Sequence, residues 1–354
     1  GFQLLNPSYP ELQELDVLHE LDLRSFVAGI DLVTDSAVVR LADPRRAPLA
    51  IGDAILKNYA SPIEKLQMAA AVARILKRAL GKKIESNLMS VETDLLGLGV
   101  PQKLYDQLVK PFLTGVFLAD PSRVSASYGD FVLRSFFNGT PAVPAQGMGQ
   151  LPKVLANRLH PGSLQLNHRV ENLHGQQVQT NQGTYSAEKI ILAVAPKQLQ
   201  QWLSNLPQIT TVGCTTWYFA APKRVKTSGA LRIDATQSGP VLNSVVLSET
   251  APGYASGGRS LISTTTLGGA TFEIESAVRT QLTAMWGEQA QTWEFVEKFE
   301  ISEALPLIQP GAGLSLPVKL DAHTFVAGDH RDTPSQQGAL LSGRRAARAA
   351  MARK

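Results

Sequence analysis

The residues best suited to chemistry lie near the C-terminal end, in "HTFVAGDHRDTPSQQGALLSGRRAARAAM" over residues 323–351. An apolar run, Thr324 to Ala327, stops at Gly328 and Asp329. A polar loop follows, and a helix of small residues starts near Ser335. Gly328 has no Cβ and lets the backbone pass close to a ligand. Asp329, just past the strand, can accept hydrogen bonds from the hydroxyls of a ribose or an open polyol. Free N–H groups and the positive dipole end at the helix start favour an anionic or electron-rich group. Gly338, Ala339, Ser342, Gly343 and Ala346 give that helix a small-residue face for close packing. These residues leave two readings open: a loop that closes the fold, or a cradle for a ligand.

Composition narrows the class. The chain has 354 residues, 44% hydrophobic and 18% charged, which suits a globular protein of two domains or one large one. A net charge of +4, spread along the chain, gives no nucleic-acid signature. One cysteine, Cys214, excludes an intrachain disulfide and a thiolate metal cluster, and no His pair has the spacing of a zinc helix. Apolar stretches fall short of the ~18–20 residues that span a bilayer. The expectation is a cytoplasmic protein acting on a small molecule, with oligomeric state open. Weak peripheral membrane contact through Lys77, Arg78, Lys82 and Lys83 is the alternative to a solvated helix end there.

The elements that must position Asp329 follow from periodicity. Leu12, Leu15, Leu18 and Leu21 share a helical face over residues 8–23. Residues 36–44 read as a strand ended by Asp43-Pro44. Ser61, Pro62 and Glu64 form a capping box, opening a helix expected to stop at Gly81. Helices follow at 90–99, 101–117 and 125–137, and a short one at 152–159. Residues 163–187 read as a β-meander, and "KIILAVAP" as a buried strand. Strands continue through 210–265, a helix covers 272–286, and 292–306 returns to strand. Strands 189–195 and 323–327 are expected to be neighbours, so the fold class is α/β (α+β overall) with a long excursion into a second domain. Core packing is the first expectation for Cys214, Trp217, Tyr218 and Phe219, with cavity lining the second for the three aromatics.

"TFVAGDHRDTPSQQGALLSGRRAA" resembles the C-terminal flavin-binding signature of the flavin-containing amine oxidase superfamily, which includes amine oxidases, protoporphyrinogen oxidases and phytoene desaturase-like enzymes. "NHRVENL", "KIILAVAP", "PAQGMGQLP" and "KPFLTGVFLADPSRVSASYGDFVL" resemble further segments of that family, so the likeness covers most of the chain. It implies non-covalent FAD, with Gly328 and Asp329 at the ribityl chain. Ser335, Gln336, Gln337, Gly338 and Ala339 would border the isoalloxazine, and Val170 and Ala193 the ADP part. It implies an incomplete Rossmann-like FAD-binding domain from residues 1–50, 145–208 and 318–354, and a substrate domain from 51–144 and 209–317.

The sequence departs from the family at one motif. The G-x-G pairs at Gly97/Gly99, Gly147/Gly149 and Gly311/Gly313 lack the third glycine and the strand–turn–helix context of a dinucleotide fingerprint. We read this as N-terminal truncation of the family's first βαβ unit, leaving a fragment or pseudo-enzyme as the competing class. An NAD-linked dehydrogenase lacks the same fingerprint. Amine-oxidising relatives often carry a lysine on the strand comparable to "GCTTWYFAAPKR", which has none before Lys223. The resemblance therefore implies an FAD-dependent oxidoreductase oxidising a CH–CH or CH–NH bond, tilted toward CH–CH. Its catalytic residues are unassigned, and no metal is implied.

Overall fold

The computed structural model describes residues 4–43, 45–47, 51–79, 88–203 and 206–352. In chain order the strands are β1 (Leu23–Ser25), β2 (Gly29–Val33), β3 (Val38–Ala42), β4 (Ala142–Pro144), β5 (Val170–His174), β6 (Gln177–Thr180), β7 (Gly183–Ser186), β8 (Ile190–Leu192), β9 (Thr211–Ala221), β10 (Leu231–Asp234), β11 (Val241–Val246), β12 (Ser260–Leu267), β13 (Glu294–Pro306) and β14 (Thr324–Val326). The fold is α/β, with helices and sheets mixed along the chain.

The largest sheet has seven strands in the order β13-β9-β12-β11-β10-β2-β3. Alternation along β9 divides its side chains between two faces. Trp217 and Phe219 pack with Val278, Leu282 and Met285 of the Phe272–Trp286 helix. Their polar needs are met: Trp217 Nε1 donates to Thr266 Oγ1 at 3.0 Å, and Trp286 Nε1 to Ser244 Oγ at 3.1 Å. Tyr218 lies on the opposite face, edge-on to Phe299. Strands β2 and β3 belong to this sheet, β2 pairing parallel with β10 and antiparallel with β3. The sequence expectation had grouped residues 29–42 with the cofactor side. Ile30 and Leu32 instead pack with Ile233, Leu108 and Phe112.

Over one face of the sheet lies a helical block. Ser61 Oγ accepts from Glu64 N at 3.2 Å, and Glu64 Oε2 accepts from Ser61 N at 2.7 Å, so the capping box opens the Pro62–Ala79 helix as expected. Its expected stop at Gly81, with Lys82 and Lys83, lies outside the described residues. Arg78 turns inward, bridging Asp94 (2.6 Å) and Asp130 (2.5 Å). We expect Arg78→Met to cost roughly 2 kcal/mol at pH 7, the figure for a buried pair being reduced because Arg78 is a third exposed. The loss should shrink toward pH 4, where the Asp130 carboxyl, pushed up by burial, takes up a proton and its repulsion of its neighbour ends. Urea melts at both pH values check this.

Two elements differ from the sequence pattern. Residues 8–23 are not one helix: Pro10–Glu14 ends at Asp16, whose φ of 49° is left-handed, and a 3₁₀ turn follows at Leu18–Glu20. Leu12 and Leu21 are buried all the same, against Leu151 and Val154 of the Gln150–Asn157 helix. The 101–117 helix contains a π turn, Tyr105–Val109, before it resumes as Lys110–Phe117.

Strands β8 and β14 pair in parallel, Leu192 opposite Val326, although ~130 residues separate them. The β5-β6-β7 meander packs on them through Leu173 and Val178. Ile190 and Leu192 are buried, but Ile191, on the other face of β8, is 40% exposed rather than fully buried as expected. The Gln336–Met351 helix packs Ala346 against Phe325 and Ala327. Among the described residues no helix is long and apolar enough to cross a membrane.

Candidate active site

The carboxyl ends of β8 and β14 bring Ala193 level with Ala327, whose N–H donates to Leu192 O at 3.0 Å. Ends of parallel strands are where open α/β sheets bind ligands. At Gly328 φ is 151°, and a Cβ would overlap His330 Cε1 and lie 2.5 Å from His330 Nδ1. The histidine ring therefore covers the strand end. Ser342, fully buried, receives the Gly328 N–H at 2.9 Å and lies 2.8 Å from Gly328 O, pinning the strand end to the helix.

Asp329 follows in a 3₁₀ turn, Asp329–Arg331. Burial pushes its carboxyl up to about 6; only its own and the His330 backbone N–H groups oppose that, and no cation does. Burial also pushes His330 down to about 4, so its imidazole is neutral at pH 7. His330 Nε2, Arg331 Nε and Nη2, and Gln336 Oε1 are buried without partners among the described residues. Buried polar atoms are nearly always satisfied, so this cluster suits a polar ligand.

Ser335 caps the helix, its Oγ accepting from Gly338 N at 3.0 Å. A Cβ at Gly338 would overlap Thr333 O and lie 2.7 Å from Thr333 N, so the capping turn closes only on glycine. The predicted cluster Gln336–Ala339 divides. Gln337 is turned away, its Oε1 accepting from Glu11 N at 3.0 Å. Gln336 points to a cavity.

That cavity, about 490 Å³, runs from Pro334–Gln336 to the seven-stranded sheet. One wall is a ring stack: Phe131 lies 6.1 Å from Tyr9 and 6.2 Å from Tyr128, near parallel to both. Tyr128 OH donates to Pro334 O at 2.7 Å, tying the Ala126–Asn138 helix to the site. The sheet contributes Cys214, Asn243, Val245 and Thr265. Cys214, expected in the core, is buried but faces this space, its thiol pushed up by burial. Gly213 beside it admits no side chain, since a Cβ would meet Ile301 O and Ser302 O at 2.8 Å. The charged lining residues are Asp43 and Arg46. Asp43 pairs with Arg45 at 2.7 Å, and Arg46 donates to the carbonyls of Phe136, Phe137 and Gly139. The cavity thus offers neutral polar points on an apolar wall.

Val170 opens β5 in the meander. Sequence reasoning missed the aromatic wall from the helical block, although Tyr128 and Phe131 stand at i, i+3, a spacing that puts them on one helix face. Asn243 and Thr265 carried no signal.

A sequence model of the family described as flavin containing amine oxidoreductase matches residues 1–351. No curated protein sequence matches the chain significantly. Among solved structures, putrescine oxidase bound to putrescine is similar at TM-score 0.70 and 16% identity, over 100% of this chain and 88% of that one. Cyclohexylamine oxidase from Brevibacterium oxydans gives 0.69 and 17%, over 99% and 86%. A structure described as a protoporphyrinogen oxidase from Exiguobacterium sp. 255-15 gives 0.68 and 14%, over 98% and 85%. At these identities the likeness is one of fold.

Proposed function

The chain belongs to the flavin-containing amine oxidoreductase family and is a flavin-dependent oxidoreductase; from that premise we propose that it binds FAD non-covalently and oxidises a CH–CH bond of a neutral, largely apolar small molecule. The family's CH–NH chemistry is the second reading. The observation that carries the choice is the cavity wall, whose charged residues Asp43 and Arg46 are both engaged elsewhere. A cationic amine would enter without a free counter-charge, and burying an uncompensated ion is costly.

The residues fit the cofactor's flavin end. Asp329, a half-buried carboxylate with no cation against it, would accept from the ribityl hydroxyls. The N–H groups and dipole at the start of the Gln336–Met351 helix would hold the electron-rich pyrimidine edge. Val170 and Ala193 would border the ADP part. Residues 145–208 and 318–354, with 4–22, would form the cofactor side; 29–43, 51–144 and 209–317 the substrate side. FAD when bound supplies the hydride acceptor, and O₂ or another acceptor restores it. The chain's own contribution is to orient the bond to be oxidised and to exclude water with the Tyr9–Phe131–Tyr128 wall.

Purified protein incubated with FAD and desalted should stay yellow and bleach anaerobically with isoprenoid polyenes or porphyrinogens. Bleaching by amines alone would remove the CH–CH reading. A colourless protein that takes up no FAD would sink the assignment altogether.

A further inference from the structure

We infer that a second, wholly apolar cavity behind the first is a pocket for the hydrocarbon tail of the substrate; this rests on reading the larger cavity as the substrate site. The second space measures about 180 Å³, lies between the helices of the block and Ile30 of β2, and opens partly to solvent, with only apolar side chains around it. A space of roughly 150 Å³ is enough for a small hydrocarbon guest, so this one is large enough for part of a ligand, and its walls offer water nothing to bond.

Its position gives the guest an identity. Ile30, Phe112, Leu133 and Phe137 line both cavities, so the partition is one side chain thick. A chain whose reacting bond lies near Gln336 would reach that partition by crossing the larger cavity. The π turn at Tyr105–Val109 supplies a second observation, because Leu108 and Val109 from that turn line the inner space. Such turns are rare and frequently mark functional sites. On the outer side lies Met68, whose flexible thioether adapts to guests of different shape.

The probes are n-alkanols of increasing length, titrated calorimetrically into the protein without cofactor. Affinity should rise about fourfold per methylene while the chain finds apolar space, then level off. Met68→Trp and Val109→Phe each fill the inner space and touch residues that do not line the larger cavity. Both should bring the levelling-off to shorter alkanols while short ones bind as in the unaltered protein. Phe112→Ala, which opens the partition, should tighten binding of long alkanols at least several-fold. An unchanged levelling-off point in both filled variants overturns the tail pocket and leaves the substrate cavity standing. Absence of alkanol binding altogether overturns it too, whereas FAD uptake is measured separately and decides the cofactor reading by itself.

Discussion

Asp329→Asn should weaken FAD binding about 10- to 100-fold, the loss of charge-assisted hydrogen bonds worth roughly 1.5–3 kcal/mol, while making the cofactor-free protein more stable. The second half follows from burial. The Asp329 carboxyl is held at about 6, above its ordinary 3.8, so the folded state binds that proton more tightly than the unfolded one. Its contribution to stability is full below the ordinary value and is lost as pH rises through about 6. At pH 7 the half-buried charge costs at most about 3 kcal/mol, from 1.36 kcal/mol per unit. Asparagine removes the charge, so melts should show a gain of about 2–3 kcal/mol at pH 7 that fades below pH 4. FAD affinity of the unaltered protein should climb from pH 5 to 7 as the acceptor ionises, and that of Asp329→Asn should stay flat. Fluorescence titrations across this range check both. Equal affinity in the two proteins would take the carboxylate off the ribityl chain.

Gly338→Ala should lower stability by about 3 kcal/mol, at the upper end for overpacking, and reduce FAD uptake below detection. The added methyl overlaps Thr333 O and crowds Thr333 N, and these are backbone atoms that no rotamer change can move aside. The Ser335 cap would have to open, displacing the helix start that borders the cofactor. Gly343→Ala, one and a half turns further on, meets nothing within 4 Å. It should raise stability by about 0.5–1 kcal/mol through reduced chain entropy and keep the cofactor. Thermal melts with FAD retention on both variants separate a local cap effect from a general intolerance of that helix.

Much of the fold was legible along the chain. The capping box at Ser61, the Phe272–Trp286 helix and strands β9 to β13 fall where periodicity and capping put them, because each is set by residues within a few positions. The pairing of β8 with β14 was legible too, from two apolar runs that both read as strands of a buried sheet. The 8–23 segment was misjudged because an apolar face at helical spacing does not require a continuous helix; left-handed Asp16 breaks it while Leu12 and Leu21 stay buried.

The site divides the same way. By itself the sequence placed the strand end before Gly328 and Asp329 and the helix start near Ser335, since strand termination and helix initiation are local features. Only the tertiary structure decided what surrounds it. It turned Gln337 toward Glu11, brought Tyr128 to Pro334 across more than 200 positions, and set Cys214, buried as expected, against a cavity. It also committed Arg46 to the carbonyls that end the Ala126–Asn138 helix, so its guanidinium is held by backbone and not offered to a ligand. Capping and strand termination depend on neighbours in the chain, whereas burial and the partner of a charge depend on which distant elements pack beside it.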